Sequence, residues 1–326
     1  YWTGDTVINS VAVGDVDGDG STEIITGGYY NDGARLTAQL VVWSGSNLAV
    51  EQLRTWYWSS NTAIESVAVA DVDLDGSVEI VTGGYYNDGS RLNAQLVVWS
   101  GSGLALERVK TWRWSDETGI NSVAVGDVDG DGVREIVTGG YYSNLANDYA
   151  QLVVLSGSSL AVERVQTWLW LDLTEVNSVA VGDVDGDGYQ EIVTGGFYSN
   201  YVSFRAQLVV WSGANLALEQ LRVWDWGGDT SVNSLAISDV DLDGSVEIVT
   251  GGRCSDGARL NAQLVVWSGS SLAVEQVKTW YWSGDTWINS VAVGDADGDS
   301  YPEIVTGGLY NDGARYCAQL TKWSVG

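Results

Sequence analysis

Short runs of apolar and β-branched residues, separated by polar turns, follow one another along the whole chain of 326 residues. In its first part the runs cover 8–16, 22–30, 36–43 and 48–58, and turn-forming sequences such as the NDG at 31–33 lie between them. Runs of this length and composition are typical of β-strands, and no segment shows the periodicity of an amphipathic helix. The pattern predicts an all-β protein built from four-stranded units.

The four-run pattern repeats six times at a constant interval of 56 residues. The interval is read most easily from an acidic loop, which begins at Asp15, Asp71, Asp127, Asp183, Asp239 and Asp295. A four-stranded unit repeated without insertions predicts a β-propeller, in which each unit is one small twisted blade and the blades pack around an axis. A β-solenoid is the alternative, although its rungs are usually much shorter than this unit.

We therefore expect residues 1–326 to form a single six-bladed β-propeller of four-stranded antiparallel blades. The expected blades are approximately 8–58, 64–114, 120–170, 176–226, 232–282 and 288–326, the last together with 1–2. The last blade is expected to lack most of its outer strand, because no residues correspond to 271–280 of the fifth repeat. Thr321–Lys322 replaces Val265–Val266 in its third strand, and a lysine on an exposed edge discourages pairing with other strands.

Each acidic loop follows the pattern D-x-D-x-D-G-x-x-E, with Ser300 in place of the glycine in the sixth loop. Aspartates at positions 1, 3 and 5 of a tight loop converge on one point, the glycine allows a sharp turn, and the glutamate at position 9 closes the shell. Position 7 varies in identity, which suits a residue that coordinates through its backbone carbonyl. A flexible shell made only of oxygen ligands favours calcium over magnesium and over transition metals.

We expect about six calcium ions, one per repeat, whose main role is to stabilise the fold. Four carboxylates this close repel one another when no cation is bound. A solvated acidic turn is the plainer alternative, but a turn alone needs neither three spaced aspartates nor a recurrent glycine. The predicted ligands are, loop by loop, Asp15, Asp17, Asp19, Ser21 and Glu23; Asp71, Asp73, Asp75, Ser77 and Glu79; Asp127, Asp129, Asp131, Val133 and Glu135; Asp183, Asp185, Asp187, Tyr189 and Glu191; Asp239, Asp241, Asp243, Ser245 and Glu247; and Asp295, Asp297, Asp299, Tyr301 and Glu303.

The acidic loop between the first two strands of such a long repeat resembles the FG-GAP/VCBS repeats of the integrin α-subunit propeller and related proteins. The resemblance covers nearly the whole chain. It implies a propeller whose loops bind calcium on the lower face and whose upper face often contacts ligands. This chain departs from the family pattern in three ways, because it has no Gly-Ala-Pro segment, has Glu at the ninth loop position, and has six repeats where integrins have seven.

Charge and composition exclude several classes of function. The net charge is −28, but 24 of the 43 acidic residues lie in the six loops, so the acidity is local and favours cation binding. No basic patch is available for nucleic acid, and no apolar run is long enough to insert into a membrane. The chain has no histidine, which removes imidazole-based catalysis. Cys254 and Cys317 occupy different places in neighbouring repeats, and the sequence leaves their disulfide state open.

The residues favour a calcium-stabilised binding or adhesion module, extracellular or at the cell surface, and not an enzyme. A carbohydrate-active enzyme with paired carboxylates is disfavoured because the acids outside the loops form no unique cluster. Sixteen of the 17 tryptophans recur at three fixed repeat positions, with Trp287 outside them, which favours packing between blades over sugar stacking. A carbohydrate or protein ligand is expected at turns opposite the acidic loops, with the candidate residues Tyr30, Asn31, Asp32, Arg35, Tyr86, Asn87, Asp88 and Arg91. The alternative is a structural or self-assembling scaffold, either a monomer or an oligomer formed through the edge of the last blade.

Overall fold

The computed structural model describes residues 4–324, and every regular element among them is a β-strand. The chain divides into two compact units. The first consists of Tyr1–Asp127 and Asp131–Trp168, and the second of Val128–Gly130 and Leu169–Gly326. The prediction of an all-β protein is confirmed. The described part of the chain has no helix that could span a membrane.

The first unit contains twelve strands in three groups of four. They are β1 (Thr6–Gly14), β2 (Glu23–Asn31), β3 (Leu36–Ser44), β4 (Val50–Trp56), β5 (Thr62–Ala70), β6 (Glu79–Asn87), β7 (Leu92–Ser100), β8 (Leu106–Trp112), β9 (Glu117–Gly126), β10 (Glu135–Ser143), β11 (Asp148–Ser156) and β12 (Val162–Trp168). Within each group the strands pair in sequence order and antiparallel. We call β1–β4, β5–β8 and β9–β12 modules 1 to 3.

The second unit contains eleven strands with the same order of pairing. They are β13 (Leu173–Gly182), β14 (Glu191–Ser199), β15 (Phe204–Ser212), β16 (Leu218–Trp224), β17 (Thr230–Ser238), β18 (Glu247–Ser255), β19 (Leu260–Ser268), β20 (Val274–Trp280), β21 (Thr286–Gly294), β22 (Glu303–Asn311) and β23 (Tyr316–Ser324). All pairs are antiparallel. We call β13–β16, β17–β20 and β21–β23 modules 4 to 6.

The number of separate blades differs from the prediction. Among the described residues four sheets stand alone, formed by β1–β4, β5–β8, β17–β20 and β21–β23, whereas the sequence predicts six. The prediction of six separate blades is therefore wrong. A sequence repeat counts modules, whereas the hydrogen bonds between strands, which the repeat does not specify, decide which strands make up a separate sheet.

Module 6 has three strands, in agreement with the prediction that the last blade lacks most of its outer strand. The further expectation that residues 1–2 belong to this blade lies outside the described residues. Cys254 is buried, Cys317 is partly exposed, and both are free thiols.

The hydrophobic core lies between successive modules. In the first unit Ile25, Leu40 and Val42 of module 1 pack in one cluster with Ile64 and Val97 of module 2, all of them buried. The third strands are buried on both faces, so they are continuously apolar in the sequence.

Glycines make this close approach of modules possible. A Cβ atom at Gly27 would lie 2.6 Å from Val67 Cγ1 and 2.7 Å from Ile64 Cγ2, so only a glycine fits between the two sheets. The first strand of module 1 also contains a β-bulge between Ile8 and Ser10. The extra residue, Asn9, donates from Nδ2 to the Ile64 carbonyl oxygen of module 2 at 2.8 Å. The repeat therefore encodes the contact between neighbours as well as each sheet.

Candidate metal sites

The acidic loops connect the first and second strands of each module, and the first aspartate of each loop organises the turn. In the first loop Asp15 Oδ1 accepts the N–H of Gly18 at 2.8 Å, and Asp15 Oδ2 accepts the N–H of Gly20 at 2.9 Å. Gly20 has a φ of +88°, in the left-handed region that favours glycine. The backbone at position 6 therefore favours glycine.

The aspartate at position 5 stabilises the end of the same turn. Asp19 Oδ1 accepts the backbone N–H of Ser21 at 2.7 Å. The same bond recurs in the other loops, from Ser77 to Asp75, Val133 to Asp131, Tyr189 to Asp187, Ser245 to Asp243 and Tyr301 to Asp299. In every loop one carboxylate oxygen of the position-5 aspartate thus accepts a hydrogen bond from the backbone. This leaves the second carboxylate oxygen for a cation.

The glutamate at position 9 is the first residue of the second strand and is buried in all six modules. Glu23 Oε2 accepts the backbone N–H of Val16 at 3.0 Å. Glu79, Glu191, Glu247 and Glu303 accept the equivalent N–H in their own loops. Each of these buried carboxylates is anchored through one oxygen, Oε2, by a peptide group of its own loop.

Burial, together with the charges of neighbouring acids, raises the pKa of Glu79, Glu191 and Glu247 to about 7. The hydrogen bond from the backbone acts in the opposite direction and only partly offsets the loss of hydration. These carboxylates are therefore held in surroundings that disfavour a negative charge unless a cation is near. A divalent cation supplies that compensation.

The structure brings three carboxylates of each of four loops together, with one oxygen from each within 4.8 Å of the others. The first, fourth and fifth loops combine positions 1, 3 and 9. These groups are Asp15, Asp17 and Glu23; Asp183, Asp185 and Glu191; and Asp239, Asp241 and Glu247. The second loop combines positions 1, 3 and 5, namely Asp71, Asp73 and Asp75. The position-5 side chains of the other loops and the position-7 carbonyls stay predictions, as does the third loop, whose residues belong partly to each unit.

The donor set of these groups fits a hard cation. All three groups per loop are carboxylates, which calcium prefers, and no soft ligand is among them. Asp73 Oδ1 and Asp239 Oδ1 are buried and have no hydrogen-bond partner in the described part of the chain. A buried carboxylate oxygen without a partner is energetically unfavourable, and a bound cation relieves it. The residues present therefore fit calcium.

The sixth loop contains a cation of its own. The Lys322 ammonium lies 3.3 Å from Glu303 Oε1 and forms an ion pair with Asp297 Oδ2 as well. The hydrogen bond that Lys322 donates to Asp297 is the main cause of the raised pKa of Lys322. In the other five modules the equivalent residue is a valine, at 42, 98, 154, 210 and 266. The sequence analysis interpreted Lys322 as a residue that protects the edge of the last blade. In the structure Lys322 pairs with acids of its own module.

A second basic contact, also missed by the sequence analysis, lies at the second loop. Arg108 Nη1 donates to Asp73 Oδ2 at 2.8 Å and to the Ser158 carbonyl at 3.0 Å. Arg108 comes from β8, an outer strand, far from the loop in sequence. Only the register of the strands reveals that these two basic residues reach the acidic loops.

The residues predicted to bind a carbohydrate or protein ligand mainly form hydrogen bonds within their own turns. Asn31 accepts the N–H of Gly33, and Asp32 accepts those of Ala34 and Arg35, at 2.8–2.9 Å. The Arg35 guanidinium stacks 4.2 Å from the centre of the Tyr57 ring.

The equivalent turn of module 2 is held in the same way. Asn87 accepts the N–H of Gly89, Asp88 accepts those of Ser90 and Arg91, and the Tyr86 ring packs edge-on against Trp58. Tyr30, the remaining candidate, lies at the same place in β2 as Tyr86 in β6. Ligand binding at these turns stays a prediction.

The tryptophans link neighbouring modules. Trp56 of module 1 donates from Nε1 to Gln95 Oε1 of module 2 at 3.0 Å, and its ring centre lies 4.7 Å from that of Trp99. Trp224 makes the same contacts with Gln263 and Trp267 in the second unit. The interpretation that these rings pack between modules is confirmed for both pairs.

Comparison with solved structures identifies the fold of this chain. The Dos1 propeller has a TM-score of 0.55 at 13% identity, with 100% of this chain and 73% of that chain covered. The exotype rhamnogalacturonan lyase YesX has a TM-score of 0.54 at 15% identity, with 98% of this chain covered but only 56% of that chain. The biofilm matrix protein Bap1 of V. cholerae reaches only 0.49 at 10% identity, covering 97% and 77%. The first two similarities establish the fold, a β-propeller.

Two family models match segments of the sequence. The model for FG-GAP-like repeats matches residues 71–138, and the model for the FG-GAP repeat matches 176–203. Both segments contain acidic loops of the kind described above. These two segments of the chain are similar to FG-GAP repeats. No protein of curated function matches it.

Proposed function

We propose that this FG-GAP repeat propeller is a calcium-stabilised binding or adhesion module. The proposal rests above all on the groups of three carboxylates that recur in the loops, such as Asp183, Asp185 and Glu191. A repeated, partly buried acidic site in every module suits a structural cation. It does not suit catalysis, which needs one unique site.

We assign calcium to the first five loops and not to the sixth. The second loop is included because Arg108 pairs with only one of its acids, Asp73. In the sixth loop the Lys322 ammonium already pairs with Asp297 and Glu303. A divalent cation there has to displace an ammonium group and its charge-assisted hydrogen bonds. The expected number of bound ions is therefore five, one fewer than the six repeats indicate.

The proposed location is outside the cell or at its surface. Calcium sites of extracellular modules have dissociation constants on the order of 10⁻⁴–10⁻³ M. At a tenfold excess of calcium over such a constant, each occupied site adds about 1.4 kcal/mol to the free energy of unfolding. Sites of this kind are filled where calcium is millimolar.

The proposed ligand is a carbohydrate or a protein, and two places suit it, one on module 1 and one between modules 1 and 2. One is the turn that contains Asn31, Asp32 and Arg35. The other is a groove lined by Trp56 and Trp58 together with Leu53, Arg54, Trp99 and Leu106. Flat aromatic rings beside a polar edge suit sugar rings, because both faces of a pyranose have apolar C–H groups.

The experiment that tests the binding role is a screen of immobilised glycans and matrix proteins in millimolar calcium and in chelator. We expect at least one ligand class to bind only with calcium. Trp58→Ala weakens binding if the groove is used, and Arg35→Ala weakens it if the turn is used, with Lys110→Ala on the outer strand as the control. Absence of binding to both classes contradicts the binding role.

No enzymatic activity is proposed. The similarity to a rhamnogalacturonan lyase concerns the fold alone, at 15% identity. We expect no cleavage of rhamnogalacturonan by the chain in calcium. Release of unsaturated products, measured by their ultraviolet absorbance, contradicts this expectation.

A further inference from the structure

The second and fifth acidic loops have the same sequence. Residues 71–84 and 239–252 both read DVDLDGSVEIVTGG. Each loop connects the first and second strands of its module, and in each the buried glutamate at position 9 accepts a backbone N–H of its own loop, at 2.8–2.9 Å. Any difference between the two loops therefore comes from residues outside this stretch.

The acids that lie together differ between these two loops. In the fifth loop the carboxylate oxygens within 4.8 Å of one another belong to positions 1, 3 and 9. In the second loop they belong to positions 1, 3 and 5, namely Asp71, Asp73 and Asp75. Since the residues of the two loops are the same, their surroundings account for the different grouping.

The second loop lies beside an arginine that the fifth loop lacks. The outer strand β8 has Arg108 where β20 has Gln276. Arg108 Nη1 lies 2.8 Å from Asp73 Oδ2, and the two side chains are only 18% and 23% exposed, so water screens the pair incompletely. Glu107, which lies 3.3 Å from Arg108 Nη2, has the counterpart Glu275 in β20. The arginine, and not an acidic neighbour, thus distinguishes the second loop.

The contact of this position with the next module does not need an arginine. Gln52 Nε2 of module 1 donates to the Gly101 carbonyl of module 2 at 3.0 Å, and Gln220 makes the equivalent bond in the second unit. Arg108 keeps a contact of this kind, because its Nη1 donates to the Ser158 carbonyl of module 3 at 3.0 Å. What the arginine adds is the charged contact with the acidic loop.

A second arginine holds the backbone of the same loop. Arg134 of module 3 donates from Nη1 to the Asp71 carbonyl at 3.1 Å. The residue of module 6 at the position of Arg134 is Pro302, whose side chain has no donor. Together Arg108 and Arg134 tie the second loop to module 3 without any help from a bound ion.

We propose that Arg108 is a counter-ion supplied by the chain to the second loop, so that this loop keeps its shape without calcium and binds calcium less tightly than the fifth loop. The inference rests on the proposed calcium sites and concerns how they are filled. A cation that stabilises the calcium-free loop lowers the affinity for calcium, because calcium gains less by binding. Calcium and the guanidinium on one carboxylate also repel each other. The chain therefore takes up calcium in at least two steps.

Hydrogen–deuterium exchange of the 326-residue chain, followed by mass spectrometry during a titration from chelator to millimolar calcium, tests the proposal. Peptides that begin in VAVA at 67–70 or in LAIS at 235–238 distinguish the two loops. In the wild type, half-maximal protection of the second loop should need on the order of tenfold more calcium than that of the fifth. In chelator the second loop should exchange more slowly than the fifth.

Arg108→Gln introduces the residue that modules 1, 4 and 5 have at this position. It should bring the calcium midpoint of the second loop to that of the fifth and speed its exchange in chelator. Lys110→Gln is the matched control, since it removes a charge two residues further along β8, where Lys110 pairs with Leu96. It should leave both midpoints in place. Unchanged exchange in peptides of the other modules shows that each variant is folded.

The outcomes separate this inference from the proposed function. Equal midpoints of the two loops in the wild type overturn the role of Arg108, and this comparison needs no variant. A difference between the loops that survives Arg108→Gln overturns it as well, since other surroundings then cause it. If calcium protects neither loop, the proposed calcium sites themselves are contradicted, and the inference falls with them.

Discussion

The fourth and sixth loops have almost the same acidic residues, yet their surroundings differ. In the fourth loop Asp183, Asp185 and Glu191 lie together, and the residue equivalent to Lys322 is Val210. In the sixth loop the ammonium of Lys322 reaches Asp297 and Glu303. The comparison teaches that an acidic loop can be neutralised either by an ion from solution or by a residue of the next strands. On the proposed account, a lysine in place of valine at one position of the third strand keeps the ion out of the sixth loop. At the second loop Arg108 pairs with one acid only, Asp73.

Removal of calcium is expected to have the largest effect, because it affects every loop of the first kind at once. Chelator should lower the melting temperature by roughly 10–20 °C, given about 1.4 kcal/mol per site at a tenfold excess of calcium. Differential scanning calorimetry with calcium, with magnesium and with chelator measures this. A melting temperature that is the same in all three buffers contradicts the account.

Glu65 lies in β5, outside the acidic loops, and its carboxylate is shielded from water. Burial raises the pKa of Glu65 from 4.5 to about 7, and its hydrogen bond from Asn9 Nδ2 at 3.0 Å does not compensate. The folded state then binds more protons than the unfolded state between these values, so the free energy of unfolding falls as pH rises from about 4.5 to about 7. All five other modules have asparagine at this position, within the sequence INS or VNS.

We therefore expect Glu65→Asn to stabilise the protein at pH 8 by on the order of 2 kcal/mol and to have little effect at pH 4. Urea unfolding at several pH values in chelator measures the difference. Asn177→Gln, at the equivalent position of module 4, is the control for a change of shape there. Equal effects of Glu65→Asn at both pH values would show that the carboxylate is not shielded.

The paired variants Glu191→Gln and Glu303→Gln test the comparison itself. Glu191→Gln should remove about 1.4 kcal/mol of stability in calcium at a tenfold excess, and should have much less effect in chelator. Glu303→Gln should destabilise equally in both buffers, because it removes a partner of Lys322 and no calcium ligand. Thermal unfolding of both variants in both buffers gives the result. The same calcium dependence in both variants speaks against the distinction between the loops.

The smallest predicted effect concerns position 6. Ser300 has a φ of +72°, and Gly188, its counterpart in the fourth loop, has a φ of +90°. Ser300→Gly should stabilise the sixth loop by about 1 kcal/mol or less, and Gly188→Ser should destabilise the fourth by a similar amount. Unfolding in chelator separates this backbone effect from calcium binding. Changes of the same sign in both variants contradict the prediction.

The strands were predictable from the sequence because their pattern is local. The runs at 22–30 and 36–43 differ by a single residue at their ends from Glu23–Asn31 and Leu36–Ser44. The turn glycine of the loops was equally predictable, since the left-handed backbone at Gly20 needs no other part of the molecule.

Non-local features were not predictable. The approach of Lys322 to Asp297 depends on the pairing of Lys322 with Val305 across β22 and β23, and the loop pattern is silent about it. The contact of Arg108 with Asp73 was equally unpredictable. So were the grouping of positions 1, 3 and 9 in three loops and the number of separate sheets. Each of these depends on register between strands and on packing between modules.

The number of calcium ions bound per chain tests the central claim most directly. Equilibrium dialysis at millimolar calcium, with metal counted by atomic spectroscopy, should give five ions for the wild type. It should give six for Lys322→Val, in which the sixth loop loses its own cation. A folded wild-type chain that binds no calcium under these conditions contradicts the account, and equal counts for the two proteins contradict the role of Lys322.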